Sequence, residues 1–145
     1  MKKYIWLAIA GPLLVWLLSS LYGYYDYYYH DYYDGSRYVI SKYGGKYWLD
    51  DEEAAFTIEK DGQSLKWDKR YIYSYGKSGF VVVDKKDNTL KVMFDAQSND
   101  FRKLDFINRK GRSQTYIQIV SIADLTETGK NMYDELRQMD GPYKW

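Results

Sequence analysis

The sequence predicts an α+β protein: an N-terminal transmembrane helix followed by a small, mostly antiparallel β-meander domain with one C-terminal helix. Three observations carry this prediction. An uncharged apolar run from Tyr4 to Leu21 opens the chain. After Asp34 come short segments rich in β-branched and aromatic residues, separated by glycine, aspartate and asparagine turn signals. Near the end, the apolar residues switch to helical spacing.

The opening run amounts to about 27 Å of helix at ~1.5 Å per residue. Counting in Tyr22 and Gly23 brings it to the roughly 20 residues that a bilayer's hydrocarbon core requires. Gly11-Pro12 would break a soluble helix but is tolerated in a membrane one, where neighbouring groups satisfy the freed carbonyl. Lys2 and Lys3 precede the run, so the lysine bias predicts a cytoplasmic N-terminus with the rest of the chain outside. A cleaved signal peptide opens the same way. Its candidate exits, Leu18-Ser19-Ser20 and Leu21-Tyr22-Gly23, place leucine where a small residue is needed, which favours a retained anchor. The chain has no cysteine, which excludes a lipid anchor on an N-terminal cysteine. The expected division is residues 1–23 as signal-anchor, 24–36 as a juxtamembrane collar and 37–145 as an extracytoplasmic domain.

The collar is rich in tyrosine and aspartate. A tyrosine ring is apolar with a polar tip, so Tyr22, Tyr24, Tyr25, Tyr28, Tyr29, Tyr32 and Tyr33 suit either the headgroup layer or a partner protein's surface. Asp26, His30 and Asp34 are spaced i, i+4, i+8 and would share one face of a continuing helix, a donor set that could bind a divalent metal. A solvated or salt-bridged side chain is the commoner fate of a single histidine beside carboxylates.

In the domain, Arg37 to Tyr43 and Lys46 to Leu49 flank Gly44-Gly45 as a first hairpin. Asp50-Asp51-Glu52-Glu53 lacks the glycine-spaced ligands of a calcium loop and reads as a solvated loop or a first helical turn. Ala55 to Lys60 and Gln63 to Trp67 flank Asp61-Gly62, which predicts a two-residue hairpin with Ile58 opposite Leu65 and Phe56 opposite Trp67. Arg70 to Tyr75 is a strand with Tyr71, Tyr73 and Tyr75 on one side. Phe80 to Asp84 is a continuous apolar run suited to a strand covered on both faces. Thr89 to Phe94 sets Leu90, Val92 and Phe94 on one face.

Phe101 to Ile107 is expected as a further strand, returning through the basic turn Asn108–Arg112 into Thr115 to Ile122. That turn, with Arg102 and Lys103, is a positive cluster that either meets anionic lipid or an acidic partner, or keeps a hairpin tip soluble. Asp124 and Glu127 suggest a capping box for the last helix, with Leu125, Met132, Tyr133, Leu136 and Met139 as its apolar stripe. Gly141-Pro142 ends it, and Tyr143-Lys144-Trp145 either folds back or touches the headgroups.

No catalytic constellation stands out. There is no cysteine, the single histidine lies in the collar, and Gly76-Lys77-Ser78-Gly79 is one residue short of a nucleophile elbow. Zinc ligands and a phosphate-cradling glycine loop are missing as well, so no cofactor is expected. A formal charge of +1 gives no support for nucleic-acid binding by bulk charge. The partners expected are the lipid bilayer and a membrane or envelope protein. The expected function is therefore a single-pass, membrane-anchored protein-binding domain, acting as an accessory subunit of an envelope complex or as an immunity-type inhibitor of a membrane-acting toxin. The rival expectation is a secreted ligand- or glycan-binding module released after signal cleavage, with Trp48, Trp67, Tyr71 and Tyr73 as stacking platforms or as core.

Overall fold

The computed structural model describes residues 2–43, 46–112, 116–139 and 141–144; for 2–7, 26–30 and 142–144 only the backbone course is described. The chain is α+β, with an N-terminal apolar helix, a mostly antiparallel meander sheet and later helices. Helix α1 (Lys2–Tyr28) contains Pro12 and continues without an intervening loop into strand β1 (Tyr29–Asp34). It leaves the large apolar side chains from Ile9 to Leu21 exposed. Its segment Ala8–Tyr25 is long and apolar enough to cross a membrane, a property that anchors and signal sequences share.

The meander runs β1, β2 (Tyr38–Tyr43), β3 (Lys46–Asp51), β4 (Phe56–Trp67), β5 (Tyr71–Gly76), β6 (Gly79–Asp84) and β7 (Thr89–Met93), each pairing antiparallel with the next. The first hairpin forms as expected, with Tyr43 opposite Lys46, while its tip at Gly44-Gly45 lies outside the described residues. Residues 29–34 of the collar are not separate from the domain. They form its edge strand, bulged between Asp31 and Tyr33. Asp50 and Asp51 do not sit in a solvated loop but close β3, with the turn shifted to residues 52–55.

The predicted Asp61-Gly62 hairpin is absent; β4 is one long strand that passes straight through it. Its first half pairs with β3, Phe56 opposite Asp51 and Gly62 opposite Tyr47. Its second half pairs with β5, Gly62 opposite Gly76 and Trp67 opposite Ile72. Register shifts on both sides of Gly62 mark a bulged corner, which increases local twist and bends a strand. Ile58 before the corner and Leu65 and Trp67 after it join one buried cluster, so the β1–β3 layer curls over the β5–β7 layer. Turn-prone residues thus made a bend within a strand rather than a reversal of the chain.

Phe101 to Ile107 is not a strand but part of helix α2 (Asp100–Arg112), whose last turn is the expected basic turn. The asparagine that starts it was a legible signal: Asn99 Oδ1 accepts from the Phe101 N–H at 2.8 Å, and its carbonyl accepts from the Lys103 N–H at 3.0 Å. Helix α2 carries the chain back, so β8 (Ile117–Ile119) pairs with β7 in parallel, and is shorter than the expected Thr115 to Ile122. Thr115 lies outside the described residues.

Helix α3 (Glu127–Leu136) is capped by Thr126, whose Oγ1 accepts from the Gly129 N–H at 3.1 Å. Asp124 closes a preceding 3₁₀ turn, Ile122–Asp124, where its carboxylate accepts from the Ser121 N–H and Oγ, both at 2.8 Å. The cap of α3 is therefore Thr126, two residues beyond the Asp124 that the sequence suggests. The closing strand β9 (Gly141–Lys144) folds back and pairs in parallel with β4.

Two cores lie on the two faces of the sheet. The first joins Tyr38, Ile40, Leu49, Leu65, Ile72, Val81, Val83, Leu90 and Val92 with Phe106 of α2, and Phe94 packs against it. The second joins Tyr73, Tyr75, Phe80 and Met93 with Leu125, just before α3, and with Met132, Tyr133 and Leu136 on α3, and Met139 packs against it. Strand β6 feeds both, with Val81 and Val83 in one and Phe80 in the other, as its unbroken apolar run implies.

Candidate functional site

A cleft of about 600 Å³ opens between the outer face of β5–β8 and the start of α3. Its floor is aromatic: Tyr71 and Tyr73, alternate residues on β5, have ring centroids 5.9 Å apart. Asp68, Asp84, Asp87, Lys91, Gln118 and Thr128 supply its polar lining. Local turns position the carboxylates. Asp68 Oδ1 accepts from the Arg70 and Tyr71 N–H groups at 2.7 and 2.6 Å, and its carbonyl accepts from Lys85 Nζ. Asp84 pairs with Arg70 at 2.9 Å and accepts from the Lys86 and Asp87 N–H groups. Burial pushes the Asp84 carboxyl up, but the Arg70 and amide hydrogen bonds prevail and hold it below its ordinary range. Burial pushes the Tyr73 hydroxyl up to about 12, so it stays protonated at neutral pH. An aromatic floor with carboxylate, amide and hydroxyl groups around it suits reversible binding of a small polar or cationic group.

Of the four aromatic residues considered as stacking platforms, Trp67 and Tyr73 are core. Trp48 is half-buried against Tyr43, with ring centroids 5.5 Å apart. Tyr71 alone combines partial exposure with a place in the cleft, and Arg70 lies 5.0 Å from its ring centroid.

The tyrosine collar divides in two. Tyr22, Tyr24 and Tyr25 stand exposed on α1. Tyr32 and Tyr33 instead pack on the first core, 5.8 Å from Tyr47 and 6.1 Å from Trp67 between ring centroids, and Lys85 Nζ sits 4.7 Å from the Tyr33 ring. Tyr28 ends α1 and Tyr29 begins β1; their side chains lie outside those described. The suggested metal trio loses its premise, because α1 ends at Tyr28 and places His30 and Asp34 on β1 rather than on a shared helical face with Asp26. The side chains of Asp26 and His30 lie outside those described. No cluster of metal-ligating side chains occurs among the described residues.

Two polar centres that sequence reasoning missed hold the corner and the rim. At the corner, Glu59 is fully buried. Its Oε1 accepts from the Lys60 and Asp61 N–H groups at 3.0 and 2.9 Å, and its Oε2 from the Ser78 N–H at 2.8 Å. Beside it, Arg102 Nη2 donates to the Thr57 and Ile58 carbonyls at 2.6 and 2.7 Å, and its Nε to Ser78 Oγ at 3.0 Å. Ser78 Oγ in turn donates to the Ile58 carbonyl at 2.8 Å. These groups are spent on backbone atoms and on one another. At the rim, Asp51 pairs with Arg37 at 3.1 Å and accepts from the Tyr116 hydroxyl, so an arginine occupies the acidic run. The positive cluster is likewise partly consumed: Arg102 is internal, and Arg109 donates to the Ala54 carbonyl over the Phe56 ring.

Burial pushes the Glu59 carboxyl above its ordinary value of 4.5, against the pull of the Asp61 and Ser78 amides and the Arg102 charge. A folded-state value above the unfolded one means that the folded state holds the proton more tightly. The stability margin of the wild type over Glu59→Gln is therefore expected to be largest below pH 4.5 and to shrink as pH rises through the folded-state value. Urea unfolding of both proteins at a series of pH values checks this. A margin that grows with pH would mean that the amides and Arg102 outweigh burial.

Comparison with protein-family models, with curated proteins and with solved structures finds no match to this chain.

Proposed function

We propose that the protein is a single-pass membrane protein, N-terminus inside, whose outer domain binds another protein of the cell envelope. It serves either as an accessory subunit of an envelope complex or as an immunity-type inhibitor of a membrane-acting toxin. The observation that carries this reading is the direct passage from α1 into β1. A helix with exposed apolar side chains ends where the sheet begins, so a retained α1 would hold the domain against the bilayer with no flexible linker. Tyr22, Tyr24 and Tyr25 at the end of α1 suit the headgroup layer or a membrane partner.

The test is the intact mass of the protein from washed membranes, followed by mild detergent extraction and identification of what co-purifies. The expected result is the full 17.3 kDa, accompanied by a stoichiometric partner. A full-length protein that elutes alone at native expression levels would remove the partner from this reading.

A second reading is a secreted binding module, favoured by the cleft at Tyr71. A mass short by about 20 residues, the length of a spanning segment, would select it.

A further inference from the structure

We propose that one pole of the domain, marked by Tyr43 and Phe101 with Lys46, Lys77 and Lys103, seats in the phospholipid headgroup layer. The inference rests on α1 being a retained anchor, and adds a second membrane contact from the folded domain itself.

The sheet register defines this pole. Tyr29, where α1 gives way to β1, lies opposite Tyr43, and Tyr43 opposite Lys46. The next residue, Tyr47, lies opposite Gly62 at the corner; Gly62 lies opposite Gly76, and Gly76 opposite Gly79. Across the β5–β6 turn, the Lys77 carbonyl accepts from the Asn99 N–H at 2.8 Å, which places the start of α2 beside it. Neighbouring strands are roughly 5 Å apart. The end of α1, the β2–β3 hairpin, the β4 corner, the β5–β6 turn and the start of α2 thus form one continuous border.

The side chains on this border fit an interface between water and lipid. Phe101 is 81% exposed and Tyr43 54%, and Leu104 follows Phe101 one turn along α2. An exposed phenylalanine at the start of an amphipathic helix gains by leaving water, and a tyrosine favours the headgroup level. Lys46, Lys77 and Lys103 stand along the same border. Lys46 pairs with Asp61 at 2.6 Å and Lys103 with Asp100 at 3.4 Å; in each pair one partner is exposed and the other half-buried, the weak kind of pair that a lipid phosphate can replace. Asp31, Asp61 and Asp100 share this end, so aromatic insertion rather than bulk charge carries the contact. Tyr22, Tyr24 and Tyr25 on α1 lie just before it in the chain and extend the same aromatic belt.

The absence of cysteine makes the test direct. Single-cysteine variants F101C, Y43C and K86C of the full chain are labelled with nitrobenzoxadiazole and reconstituted into phosphatidylcholine nanodiscs carrying headgroup-nitroxide lipid. Lys86 is exposed in the β6–β7 turn, at the opposite end of β6 from Gly79. The expected result is several-fold stronger quenching at positions 101 and 43 than at position 86. Equal quenching at all three positions, with the chain co-eluting with the nanodisc, would overturn the seat and leave the anchor standing. A chain that fails to enter the nanodisc would overturn the anchor and the seat together. Phe101 is so exposed that its replacement leaves the fold intact, and circular dichroism checks that.

Discussion

Replacing Arg102 by alanine is expected to destabilise the domain by about 3–5 kcal/mol, the loss typical when one member of a buried charged network is removed. Arg102 is 4% exposed, and its guanidinium serves the Thr57 and Ile58 carbonyls, Ser78 Oγ and, at 2.9 Å, Asp105. Alanine would strip the Thr57 and Ile58 carbonyls of these donors and remove the charge that faces Glu59. It would also empty the space beside the packed Phe56 and Phe106 rings, whose centroids lie 5.9 and 5.4 Å from the guanidinium carbon. Arg102→Lys keeps the charge but loses the planar fork that reaches two carbonyls at once, so it is expected to recover only part of the loss. Urea unfolding in detergent micelles measures both. A loss under about 1 kcal/mol for the alanine variant would mean that water replaces the guanidinium at these carbonyls.

The second large effect is expected at Gly79. Its φ of +89° lies in the region that side chains disfavour, and an added Cβ would stand 2.5 Å from the Met93 carbonyl oxygen and 2.8 Å from Ser98 Oγ. The carbonyl belongs to β7, paired across the start of β6, and has no room to retreat. Gly79→Ala is expected to lose about 3 kcal/mol, strain and displacement together. Gly111→Ala is the matched control: an added Cβ there meets nothing within 4 Å, and the site is an exposed turn of α2. That variant is expected to gain up to about 1 kcal/mol from helix propensity alone. Equal effects at the two sites would refute the claim that backbone crowding, not glycine content, decides.

The meander was legible where alternation or turn chemistry acted on its own. Tyr71, Tyr73 and Tyr75 fell on one face, the apolar run of β6 met two cores, and the α3 stripe packed as its spacing required. Beyond its Asn99 cap, helix α2 was not legible, because its body reverses the usual pattern. The side chains it buries are Arg102 and Phe106, four apart, whereas Phe101, Leu104 and Ile107 face outward. A reading that places apolar residues inside finds no helical stripe there and settles on a strand. The Asp61-Gly62 bend was located correctly but misread, because the partners of β4 come from distant segments, β3, β5 and β9, and no local rule counts them. The candidate cleft was represented only by Tyr71 and Tyr73. Its carboxylates come from separate turns at Asp68, Asp84 and Asp87, and only the folded sheet brings them together.

Strand β4 is the one element that both layers of the sheet share, with β3 on its first half and β5 and β9 on its second. Neither layer can melt without taking away half of the other's border strand. The domain therefore has no natural line along which to come apart in stages, and all-or-none loss of structure is built into its connectivity. Any disturbance that reaches β4, from the bilayer side through β1–β3 or from the cleft side through β5, is felt by the whole molecule rather than absorbed locally.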